Sequence, residues 1–157
     1  MLNPVRRLIA AAFLLTTPLT HAAEEPTRVP MMSKGAGTYY VKGAIQGLGP
    51  IDLMVDTGSG YLTINQNALE VLLREERARY VKKLRGVLAD GSSLVVPVYA
   101  LDEFTIGETC RFRSVEAAVF PGDTRFILGL SALTRAAPFT FAVDPPSLTL
   151  GNCQTTG

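Results

Sequence analysis

Outside residues 68–85, the chain from Thr38 to Leu150 consists largely of short apolar runs punctuated by Gly, Pro, Asp or Asn. That punctuation leaves little room for long helices and points to many short strands joined by tight turns. Residues 39–45 alternate, Leu48-Gly49-Pro50 turns, and 51–55 run straight into Asp56. A strand over 61–64 follows the Gly58-Ser59-Gly60 bend. Further strands are expected over 101–106 and 110–120, with a turn near Gly107, and over 126–130. A last hairpin is expected at 139–143 and 147–150, around Asp144-Pro145-Pro146. The fold class is therefore mainly β, a barrel or sandwich.

Two stretches refine this pattern. Between 68 and 84, Leu69, Leu72 and Leu73 recur at helical spacing among Glu70, Arg74, Glu75, Glu76, Arg77, Arg79, Lys82 and Lys83. This predicts one amphipathic helix with a solvated charged face, rather than a basic binding patch. A second, short helix is expected over 131–135. Between 86 and 96, Asp90-Gly91 separates two apolar arms, and this pair tolerates the positive φ angles of a tight hairpin turn. Pro97 lacks a backbone donor and limits how centrally the second arm can sit in a sheet.

The N-terminus reads as an address. Arg6 and Arg7 precede an uncharged run from Leu8 to Leu19, and Thr20-His21-Ala22-Ala23 offers small residues for cleavage. This is the order of a secretory signal peptide over 1–22, with cleavage after Ala22 or Ala23 and a secreted or periplasmic destination. The same residues would also permit an uncleaved anchor. Residues 23–37, with Pro26, Pro30 and two glycines, read as a flexible leader, 38–151 as one domain, and 152–157 as a tail.

Removing the address changes what the composition excludes. The 15 basic residues include Arg6 and Arg7, so 13 remain against 14 acidic, a net charge of −1. A near-neutral domain has no electrostatic reason to bind nucleic acid or an anionic membrane surface. The single histidine is His21, inside the address. The remainder therefore cannot build a Ser-His-Asp or Cys-His nucleophile or a His-liganded zinc site, and no metal or cofactor is expected. Cys110 and Cys153 form an even pair, which in an oxidising compartment suggests a disulfide. Two free thiols or a bridge between chains remain open from spacing alone.

Asp56-Thr57-Gly58-Ser59 is the constellation with chemical promise. An apolar strand delivers the carboxylate to a turn of small residues, which leaves space for a ligand to approach closely. The plainer account is a strand-end Asp capping a glycine turn. Asp52 lies in the same strand as a doubtful partner, and Asp144 serves its Pro-flanked turn.

Together, Asp56-Thr57-Gly58-Ser59, the Ala89-Asp90-Gly91 hairpin tip and the run Phe126-Ile127-Leu128-Gly129-Leu130-Ser131-Ala132-Leu133 resemble the retropepsin-like aspartic proteases, specifically small secreted bacterial members. The resemblance spans about residues 39–150. It implies a retropepsin-like closed barrel with a flap hairpin, and Asp56 as the catalytic acid/base. Thr57 would hydrogen-bond across a dimer axis, Gly58 would offer its N–H to the carboxylate, and Ser59 its hydroxyl to the outer oxygen. Ala89, Asp90 and Gly91 would form the flap tip over substrate, and Ile127, Leu128 and Gly129 would support the catalytic loop. Asp90 stands where relatives often carry Asn.

Metal-free peptide hydrolysis needs a base to activate water and an acid for the leaving side. Two carboxylates sharing one proton can serve both roles, a behaviour for which aspartic proteases are themselves the standard example. Only one Asp-Thr-Gly is present, so a complete dyad calls for a homodimer acting on a polypeptide substrate. The competing functions are a non-catalytic periplasmic peptide-binding or adaptor domain on the same fold, and a secreted β-rich structural module.

Overall fold

The computed structural model describes residues 25–87 and 90–153. The expected signal segment, Ala89 of the hairpin tip and the tail beyond Cys153 lie outside the described residues. Strands β1 (Thr27–Pro30), β2 (Met32–Ser33), β3 (Tyr39–Ile45), β4 (Gly49–Val55) and β5 (Leu62–Asn65) lead into helix α1 (Gln66–Arg74). Then come β6 (Ala78–Val87), β7 (Ser93–Ile106), β8 (Cys110–Phe120), β9 (Ile127–Leu128) and helix α2 (Leu130–Leu133), continued by a 3-10 turn, Thr134–Ala136. A closing hairpin, β10 (Phe139–Val143) and β11 (Pro146–Leu150), ends the described chain.

The fold is mainly β and its larger sheet closes on itself. Strands β3, β4, β9, β5, β8 and β7 are neighbours in that order, and β7 returns to pair with β3. Six strands thus form a barrel, with β6 attached outside β7 and β2 outside β3. The seam is tight. A Cβ on Gly43 would lie 2.5 Å from the Thr105 carbonyl oxygen and 2.6 Å from Leu53 Cδ1, so β3 and β7 close only around a glycine. Val41, Leu53, Leu62, Ile64, Leu101, Phe104, Phe112 and Leu128 fill the interior, each at most 1% exposed. Phe104 and Phe112 stand opposite each other across β7 and β8. Burying aromatic and branched side chains in this way supplies the main driving force for folding.

Three boundaries differ from the expectations. Part of the supposed leader is structural: β1 pairs antiparallel with β11, and Val29 and Met31 are buried. Their spacing of two is a strand signal that the surrounding prolines mask. Pro30 is tolerated because, among the described residues, β1 is an edge strand with β11 on one side only. Second, the amphipathic helix stops at Arg74. Glu76 takes a left-handed φ of 56°, the Arg77 N–H bonds Leu72 O at 2.7 Å, and the chain leaves as β6. Ala68, Leu69 and Leu72 are the buried helical positions, and from Ala78 the backbone is taken up by the ladder with β7 instead. Third, β7 is continuous where two strands were expected. Pro97 faces Lys83 on β6, but pairing with β8 begins only at Val98 opposite Ala118, so the missing donor breaks no ladder there.

Cys110 and Cys153 are joined in a disulfide across 43 positions, tying the start of β8 to the segment after β11. Both sulfur-bearing residues are buried. By chain-entropy reasoning a loop of that length contributes about 4 kcal/mol. Cys153→Ser is expected to lower unfolding stability by about 2–4 kcal/mol, measured by urea titration against the parent under non-reducing conditions. A loss below half a kcal/mol would count against the bridge as a significant contributor.

Candidate active site

The Asp56 loop is built by strand pairing before any side chain takes part. β4 lies parallel to β9, Met54 opposite Ile127 and Val55 opposite Leu128. The Met54 N–H donates to Phe126 O at 3.0 Å, and the Asp56 N–H to Leu128 O at 3.2 Å. The backbone of the half-buried Asp56 is therefore fixed by its neighbour across the ladder. The chain then turns: Ser59 N–H donates to Asp56 O at 3.2 Å, and Gly58 N–H to the carboxylate Oδ1 at 2.9 Å. An added Cβ on Gly58 would lie 3.1 Å from that oxygen, so glycine gives the amide its close approach.

The far side of the loop is held from α2. Leu130 N–H donates to Ser59 O at 2.8 Å and Ser131 N–H to Gly60 O at 3.0 Å. Gly129 makes this docking possible. A Cβ there would sit 2.1 Å from Tyr61 O and 2.7 Å from Ser59 O, inside the backbone of the loop itself. Ile127, Leu128 and Gly129 thus lie directly beneath the Asp56 loop.

Ser59 does not do what the resemblance implied. Its hydroxyl donates to Tyr61 O at 3.0 Å, within the loop, rather than to the carboxylate. Thr57 is exposed at the crest. Ser131 was not singled out from the sequence, yet its hydroxyl accepts from Leu62 N–H at 2.7 Å and donates to Glu116 O at 2.8 Å. It joins α2, β5 and β8 behind the loop. Its one signal was a small polar residue inside an otherwise apolar run.

Asp52 is not a partner for Asp56. Lys34 Nζ lies 2.8 Å and Lys42 Nζ 2.6 Å from its two carboxylate oxygens. Hydrogen bonds from Lys34 and then Lys42 hold its carboxyl below the usual range, and both ammonium charges act in the same direction. Because the folded pKa is depressed, this stabilisation is present above the unfolded value of about 3.9 and is lost as pH falls through the folded value. The Asp52 side chain is 32% exposed, so solvent screening keeps the effect small. Asp52→Asn is expected to cost about 0.5–1 kcal/mol at pH 7, with the gap to the parent narrowing in urea titrations as pH is lowered below the unfolded value of about 3.9.

The hairpin of β6 and β7 rises beside this loop. At its base Lys82 Nζ pairs with Glu116 at 2.8 Å and lies 5.6 Å from the ring centre of Tyr61, just beyond Gly60. Toward its tip the last ladder pair among the described residues is Val87 with Ser93. Asp90 accepts from both the amide and the hydroxyl of Ser92, at 2.9 and 2.6 Å, and Gly91 takes φ +82°. Those bonds hold the Asp90 carboxyl below its ordinary range, the Ser92 hydroxyl contributing most.

Residues 41–132 match a family profile described as aspartyl protease. No curated protein matches the chain. Among solved structures the chain is similar to a retropepsin-like aspartic protease from Rickettsia conorii, with a TM-score of 0.56. That likeness, 20% identical over 80% of this chain and 92% of the other, is one of fold. The matched stretch runs from the barrel seam through the Asp56 loop to α2 and covers more than half the sequence, and on that ground the chain belongs to the aspartyl protease family, with a retropepsin-like fold.

Proposed function

We propose that this protein is an aspartic endopeptidase whose water-activating dyad is formed by Asp56 from each of two identical chains. The observation that carries the proposal is an Asp56 carboxylate presented on a backbone-locked loop while Asp52, four residues upstream, is engaged by Lys34 and Lys42. Asp52 is thereby occupied elsewhere, which leaves Asp56 as the carboxylate that each chain would bring to a shared site. In a paired site, the ionised Asp56 would take a proton from water as the water oxygen attacks the peptide carbonyl carbon. Its protonated twin would donate to the carbonyl oxygen, giving a diol; the first Asp56 would then pass its proton to the nitrogen as the C–N bond breaks, while the twin takes back a diol hydroxyl proton as the carboxylic acid forms.

A second copy is supported by the terminal sheet. β10 is an edge strand on which Phe141 and Val143 are 38% and 58% exposed. Phe141 packs edge-on against Tyr39, with ring centres 5.3 Å apart, and Tyr39 adjoins the β3 residue opposite Met54. This apolar edge thus lies at the same end of the barrel as Asp56. A secreted or periplasmic location is supported by the basic-then-apolar N-terminus and by the buried disulfide, which needs an oxidising compartment.

Subunit mixing tests the shared dyad. Adding a several-fold excess of Asp56→Asn protein to the parent, with time for exchange, is expected to suppress casein hydrolysis in proportion to the mixed pairs formed. Hydrolysis indifferent to the added variant, or a parent that remains monomeric while it cleaves, would overturn the dyad in trans. Peptide retention without cleavage at any pH would instead leave a binding domain.

A further inference from the structure

The charged stretch expected on a solvated helix face lies on an open sheet edge. Among the described residues β6 pairs with β7 alone and ends the eight-stranded sheet, so every second backbone N–H and C=O along its outer side faces away from the barrel. From Arg77 to Val87 the chain carries Arg77, Arg79, Lys82, Lys83 and Arg85 and no carboxylate, five of the 15 basic residues of the sequence. Arg77 is paired with Asp102 and Lys82 with Glu116. Arg79, Lys83 and Arg85 are exposed and have no ion-pair partner among the described residues.

The register shows how these charges are displayed. A bulge falls between Tyr80 and Lys82, and beyond it the ladder runs evenly to Val87. Lys83, Arg85 and Val87 stand opposite Pro97, Val95 and Ser93, on one face of the hairpin. On that face Val87 is 75% and Val95 51% exposed, so cations and apolar side chains share a surface beside a free backbone edge.

We infer that the β6 edge from Lys82 to Val87 is a docking strip for an extended acidic segment of polypeptide. The added strand would complete the open backbone edge, and its alternate carboxylates would meet Lys83 and Arg85. This deepens the peptidase reading and rests on it for one point, that the docked polypeptide is a substrate held outside the cleaved bond. A second copy of this chain fits poorly, since it would bring the same cations against themselves. The phosphate chain of a nucleic acid would use neither the free peptide groups nor Val87 and Val95. Charged edges also serve simply to discourage sheet-to-sheet aggregation, and the test separates that role from docking.

Fluorescence anisotropy of a labelled peptide alternating Glu with Val, and of its Gln-for-Glu counterpart, reads the docking directly. Using Asp56→Asn protein keeps the measurement independent of hydrolysis, so failure of the peptidase reading would leave it intact. The Glu peptide is expected to bind about tenfold more tightly at low ionic strength, with the advantage shrinking in salt. Lys83→Glu with Arg85→Glu should erase that preference. The milder Lys83→Gln with Arg85→Gln pair should reduce it several-fold, and it supplies the readout if the reversed protein melts early. Equal binding of the two peptides, a preference unmoved by either variant pair, or tighter binding of an oligothymidylate would each overturn the proposal. Variants that aggregate while retaining the parent's peptide preference would assign the cations to edge protection and overturn it too.

Discussion

Asp56→Asn is expected to slow casein hydrolysis by at least about 10³-fold while leaving the thermal melt within a few degrees of the parent. The size of the effect follows from the role. In a symmetric site each chain contributes the same atom, so one substitution removes both the group that accepts a proton from water and the group that donates to the peptide. General acid–base contributions alone are about 10²–10⁴-fold. Stability should barely change, because asparagine keeps the backbone bond to Leu128 O and an oxygen for the Gly58 amide. Hydrolysis assays across acidic and neutral pH, with unfolding monitored in parallel, check both halves. Equal cleavage by variant and parent would remove Asp56 from the chemistry.

Gly129→Ala is expected to have the largest effect on structure. The new methyl would lie 2.1 Å from Tyr61 O and 2.7 Å from Ser59 O, and the obstructing atoms are backbone carbonyls that cannot rotate aside. Relief would require α2 to withdraw, breaking the Leu130 and Ser131 amide bonds to the loop. Overpacking of this severity costs about 3 kcal/mol or more. Hydrolysis should fall with it, since Asp56 is positioned from the same ladder. A variant that melts like the parent would show that the loop tolerates a looser seat. Gly60→Ala is the contrasting control, because an added Cβ there meets nothing within 4 Å.

The legible parts of this fold were those where local pattern and tertiary role agree. The alternating residues of β3, the run into Asp56, the span of β8 and the closing hairpin could all be placed from the sequence. Expectations failed where a long-range partner decides the local state. Thr27–Pro30 is a strand because β11 lies alongside it, although its prolines suggest a leader. Ala78–Val87 has helix-forming Lys, Arg and Leu but is extended, because β7 offers its backbone a ladder from Leu101 to Ser93. Around the Asp56 loop, the places of Asp56, Gly58 and Gly129 were legible, because a strand-end carboxylate and a glycine at a close approach have local signatures. Ser131 was not, since its importance comes from Leu62 and Glu116, 69 and 15 positions away. The hydroxyl of Ser59 was misassigned for a related reason: a carbonyl two residues along competes for its proton.

The two-residue strand β9 has a consequence for the loop above it. β9 stands between β4 and β5, parallel to the first and antiparallel to the second. The chain from Val55 to Leu62 is therefore an arch with its feet two strand spacings apart, about 9.6 Å, and Ile127-Leu128 is the keystone. The gap is far shorter than this chain could reach when extended, so bonds rather than length give the arch its shape: Asp56 N–H to Leu128 O on one side, and the Leu130 and Ser131 amides to the carbonyls of Ser59 and Gly60 on the other. Deleting one residue would leave β9 between its neighbours but would misalign those bonds, and Asp56 with them. The single strand beneath the loop is thus its template, and the carboxylate is aimed from below.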